Sequence, residues 1–221
     1  MIAFLLASLA EWRDRHMRRT LCLSALLLAL VGLAGPLQPL LLSIAACLVF
    51  VAAAWAEGLN PQRAPGSRVD PQTFPGRAID AAAGKALSVL AVWLGLVLAL
   101  SPILAASAAA WGIGAGTILS CLLCWLSAHF LAASFHFASK VLFDRTEGLV
   151  GLIAYAVCVF WSFFDESLRY GNPFVQAWSI PRLEGGAAIY AFMWGELGAA
   201  LAIFGLSALV LARKKKRYSH E

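Results

Sequence analysis

Charge is what this sequence has least of. Only 13% of its 221 residues are Asp, Glu, Lys or Arg, while 61% are hydrophobic. A soluble domain carries about a quarter charged residues and roughly half apolar ones. The apolar surplus is gathered into long runs, and runs that can cross a bilayer are the decisive signature. The net charge of +5 does not point to nucleic acid, because the basic residues flank the apolar runs and form no single basic face.

Other features are missing as well. No G-x-x-x-x-G-K-[ST] phosphate loop occurs, so ATP-driven work would need a separate nucleotide-binding protein. Gly112, Gly114 and Gly116 open an apolar run, where close packing or a bend is expected of them. No serine is paired with a histidine and an acid in a way that marks a hydrolytic triad. No internal repeat is evident, although repeats are common in secondary transporters. The order of the first residues, apolar Met1–Ala10 and then a charged stretch to Arg19, is the reverse of a secretory signal. All five cysteines fall in apolar runs. Cys121 and Cys124 form one C-x-x-C without a second pair, and are read as buried small hydrophobes.

What is present predicts an all-α membrane protein. Ile2, Leu5, Leu6, Leu9 and Trp12 share a helical face, so residues 1–19 are expected to form an amphipathic interfacial helix. Six transmembrane spans are expected at about 20–35, 40–56, 86–105, 111–138, 148–164 and 186–212, with a basic tail over 213–221. The Pro36/Pro39 pair separates the first two spans. Small residues 106–110 link the third and fourth. Gly76–Lys85 is expected as a short interfacial helix that turns into the third span. With the N-terminus inside, 15 of the 17 Lys and Arg lie on the inner side, leaving Arg169 and Arg182 outside. The positive-inside tendency therefore predicts both termini in the cytoplasm.

Three intramembrane polar residues stand out. Glu196 lies about ten residues into the last span; a carboxylate there should face protein, water or a partner, or carry a proton. Gly195, Gly198 and Gly205 nearby would let another helix approach closely. His129 and His136, seven apart, share a face of the fourth span, which is not by itself a metal site. At 1.5 Å per residue Glu196 is about 15 Å and His129 about 27 Å from the outer ends of their helices. That gap argues against a direct pair.

The layout of interfacial stretch Met1–Arg19, polar connection Glu57–Lys85, and Gly84-Lys85-Ala86-Leu87 leading to Leu100-Ser101-Pro102-Ile103 resembles the membrane-spanning permease subunit of an ABC-2-type (exporter-type) ABC transporter. Glu57 fits the acidic position after the second span in that family, whereas Asn60–Pro65 departs from its pattern. The resemblance implies a permease that forms the substrate path of an ATP-driven export complex in a bacterial inner membrane. A soluble ABC ATPase holding ATP and Mg would dock on a coupling surface including Glu57, Arg63, Arg68, Arg77, Asp80 and Lys85. It also implies a second permease copy or a related membrane subunit beside the chain, lipid around it, and no cofactor, metal or catalytic residue within it. The residues alone leave two other readings open: a membrane-embedded enzyme using Glu196 or His129/His136, and a non-transporting assembly subunit. The polar stretch Asp165–Gly185 is expected either as an outer gate or as a loop whose aromatics rest on the membrane surface.

Overall fold

The computed structural model describes residues 38–56, 76–143, 147–162, 164–182 and 185–218, with isolated positions at 2, 3, 5, 6, 22 and 26. The expected interfacial helix, the span at 20–35, and Glu57, Arg63 and Arg68 lie outside the described residues. Every regular element among them is helical: α1 (Gln38–Ala56), α2 (Ala78–Trp111), α3 (Ala115–Leu142), α4 (Glu147–Trp161), a 3-10 turn over Glu166–Gly171, α5 (Pro173–Ser179), a 3-10 turn over Ile180–Arg182, and α6 (Gly186–Tyr218). Three stretches, Ala78–Pro102, Ala115–Leu142 and Gly186–Lys216, are long and apolar enough to cross a bilayer. Leu41–Ala54 is a shorter apolar helix.

α2 is longer at both ends than its apolar run indicates. The stretch expected as a separate interfacial helix and the small-residue link at 106–110 both belong to one 34-residue helix, about 50 Å long. Ala, Leu and Lys are good helix formers, and the one proline between Ala78 and Trp111, Pro102, lies inside the helix without ending it. Pro102 frees the carbonyl of Leu98, and Ser101 Oγ donates to that carbonyl at 2.8 Å. The chain turns at Gly112, which has φ of 62°. The N–H of Ile113 closes back on Ala108 O at 3.0 Å, a glycine C-terminal cap. A Cβ on Gly112, Gly114 or Gly116 would meet nothing within 4 Å among the described residues, so the bend accounts for Gly112 and close packing among those residues accounts for none of the three.

α3 is the central element. Of its apolar window 61% is buried, against 39% in α2 and 33% in α6, because α1, α2, α4, α5 and α6 all pack on it. The core divides into a layer around Ala81, Val89, Phe137, Phe204 and Leu211 and another around Phe50, Val92, Trp125, Ala177 and Met193. Gly151 brings α4 against α3, since a Cβ there would fall 2.8 Å from Phe135 O. Helix ends are tied together at one end of the bundle. Lys214 Nζ donates to Val141 O at 2.8 Å, and Lys215 Nζ donates to Gly76 O at 2.8 Å. The start of α2, the end of α3 and the basic end of α6 therefore sit side by side.

Candidate functional site

A carboxyl group inside an apolar helix needs polar partners, and Glu196 of α6 has two. Ser127 of α3 lies 2.7 Å from Oε2, and Gln176 of α5 donates to Oε1 at 2.7 Å. All three side chains are buried. Gln176 reaches this depth because the chain between α4 and α6 turns back into the bundle. Asn172-Pro173 starts α5: Asn172 Oδ1 accepts from Phe174 N–H at 2.9 Å and Val175 N–H at 3.3 Å. Pro173 occupies the first helical turn, where its missing N–H costs nothing. The Asn172 amide donates to Val159 O of α4 at 3.0 Å. The thiols of Cys47 (α1) and Cys124 (α3) both point to Pro173 O, at 3.7 and 3.6 Å.

Proton counting defines what the cluster can do. Gln176 Nε2 carries two protons and has two acceptors, Glu196 Oε1 and Tyr170 O, each at 2.7 Å. Tyr170 O can only accept, which fixes the orientation of the amide. Ser127 carries one proton but faces two acceptors, Glu196 Oε2 and, at 2.9 Å, Cys124 O. A proton on Oε2 removes the shortfall: the acid donates to Ser127 Oγ, and Ser127 donates to Cys124 O. The arrangement can therefore hold a proton on Oε2 with every acceptor around Ser127 satisfied.

The two histidines belong elsewhere. His129 Nδ1 lies 2.6 Å from Phe50 O; a carbonyl only accepts, so Nδ1 carries the proton and binds α3 to α1. His136 is fully buried. Because α3 begins at Ala115 and not at Trp111, His129 lies about 21 Å from the N-terminal end of its helix, closer to the roughly 15 Å of Glu196 in α6 than the sequence indicated. The two remain apart because His129 faces α1 while Ser127 faces α6. Among the described residues no group of three His, Cys, Asp or Glu side chains could hold a metal ion. Cys47, Cys121 and Cys124 are buried, as expected, but Cys22 and Cys158 are exposed.

On the remaining candidates, Arg77 is exposed and pairs with Asp80 at 3.1 Å, while Lys85 is buried. Gly195, Gly198 and Gly205 face open space, with nothing within 4 Å of a Cβ at any of them. No contact among the described residues uses them. The 165–182 segment is neither wholly surface nor wholly interior. Trp178 is exposed under Arg182 (4.2 Å), whereas Tyr170 and Phe174 pack on the core. Sequence reasoning singled out Glu196 but not Gln176 or Asn172. The Asn-Pro helix start was a readable signal; the depth to which it carries Gln176 was not. No known protein family, curated protein or solved structure matches this chain.

Proposed function

We propose that this chain is the membrane-spanning permease subunit of an ATP-driven export complex of the ABC-2 type, crossing a bacterial inner membrane six times with both termini in the cytoplasm. A separate ATPase supplies the energy, and the chain supplies the path.

The observation that carries this reading is the turned-back segment. Its Gln176 is bonded to Glu196 inside the bundle, so the connection between α4 and α6 packs beside an intramembrane acid, where a shift of the segment would change that acid's surroundings. The clustering of basic helix ends supports the orientation, since Lys214 and Lys215 tie the α6 end to α3 and to the start of α2, the segments the charge bias puts inside. Exposed Arg77 lies beside this cluster and is available to a docking ATPase. An enzyme built on Glu196 with His129 or His136 gains no comparable support, because Glu196 and His129 bond to different helices.

Mass spectrometry of the intact complex purified from its own membrane tests the proposal. A soluble nucleotide-binding subunit held to one or two copies of the chain is the expected result. Its absence from a complex that still holds its membrane partners contradicts the proposal.

A further inference from the structure

A cavity of about 440 Å³ lies along α3 and α6. Among the described residues its walls are Leu131, Ala191, Phe192, Gly195 and Ala199, and Glu196 is the ionisable side chain lining it. This volume falls within the range of small-molecule sites, about 300–1,000 Å³. The space is open beside Gly195, where a Cβ would touch nothing within 4 Å. An open apolar groove with an acid at its edge suits an apolar body that carries one basic atom.

We infer that this cavity binds an amphiphilic amine, with its hydrocarbon body along Leu131, Phe192 and Ala199 and its nitrogen at Glu196. The amine enters uncharged from the lipid. Its nitrogen lone pair takes the proton from Glu196 Oε2, breaking the O–H bond and forming an N–H bond. The products are an ammonium and a carboxylate, with no net charge created. Ser127 then turns its proton to Oε2, and Gln176 continues to donate to Oε1, so the carboxylate keeps both its partners. The ion pair is stronger than a neutral hydrogen bond in such surroundings. An alcohol of the same length, being a far weaker base, leaves the proton on Glu196 and gains only the apolar contact. A quaternary ammonium has no lone pair to accept it. Only the description of the amine as cargo rests on the export proposal; the binding itself is measured without an ATPase.

The test uses the full chain in lipid nanodiscs with radiolabelled dodecylamine, and empty nanodiscs as background. Saturable binding is expected, with 1-dodecanol and dodecyltrimethylammonium displacing the amine poorly. Glu196→Gln keeps an acceptor for Gln176 and a partner for Ser127 but has no acidic proton to transfer, so it should weaken amine binding at least about tenfold. Gly195→Leu places a side chain in the open space on a helix position that favours leucine over glycine. It should weaken amine binding without lowering the unfolding temperature. The inference is overturned by any of three results: no saturable binding to the unaltered chain, equal affinity in Glu196→Gln, or unchanged affinity in Gly195→Leu. Loss of amine binding from a chain that still holds its ATPase refutes the site alone. Amine binding by a chain whose intact complex, purified from its own membrane, holds no ATPase refutes the export proposal alone.

Discussion

At the scale of single residues, Glu196 was visible in the sequence because an acid amid Phe, Met, Trp and Leu is costly. Its partners were not visible. Ser127 is one of several hydroxyls along the spans, most of which bond back to their own helix: Ser88 to Lys85 O at 2.7 Å and Ser134 to Leu131 O at 2.7 Å. Nothing local distinguishes Ser120 and Ser127, which also reach across to Tyr190 and Glu196 of α6. Gln176 lies in a polar connection where a glutamine draws no notice, and its role follows only from the depth of α5. The Gln176–Glu196 bond should appear as coupling in a double-mutant cycle of Gln176→Leu and Glu196→Leu. The expected interaction energy is about 0.5–2 kcal/mol, measured by reversible unfolding in lipid. Strictly additive effects would mean that the contact contributes nothing. Gln176→Leu alone should destabilise by about 1 kcal/mol, since it leaves Glu196 Oε1 without its donor.

At the scale of elements, the apolar runs gave the existence and order of α1, α2, α3, α4 and α6, but hydropathy located their ends poorly. α2 runs from Ala78 to Trp111 and α6 runs on to Tyr218, because alanine, lysine and arginine sustain a helix beyond the hydrocarbon as well as leucine does within it. The reversal at Gly112 was readable as a bend but not as the end of the third helix, since the glycines had been assigned to the start of the fourth. Two expected outcomes belong here. Asn172→Ala removes both the cap of α5 and the bond to Val159 O, so it should destabilise by about 1–2 kcal/mol. Amide exchange should then quicken over residues 172–179 and not in α3. Unchanged exchange would show that α5 does not depend on its cap. In α2, Ser101→Ala should destabilise when Pro102 is present and have little effect beside Pro102→Ala, which restores an N–H for Leu98 O. An equal effect in both backgrounds would exclude that compensation.

At the scale of the whole molecule, the apolar runs announced an all-helical chain, and three of its described helices are long and apolar enough to cross a bilayer. The packing order around α3 could not be read from those runs, because α3 is not the most apolar helix. It is central because serines, cysteines and histidines along it find partners in α1, α5 and α6. The two ends of the bundle give a further expectation for a cysteine-free version of the chain. Arg77→Cys and Lys216→Cys, both at exposed positions, should react with an impermeant maleimide from the cytoplasmic side. Arg182→Cys should react from the opposite side. Labelling of all three from one side would contradict the six-crossing topology.

The central claim is that the segment carrying α5 moves against α6 during ATP-driven work. Its most direct test is ATP turnover by the purified complex carrying Gln176→Cys and Glu196→Cys, measured before and after bridging by a short bis-methanethiosulfonate. The account predicts turnover that falls on bridging and returns when reductant releases the link. Turnover that is indifferent to the bridge would contradict it.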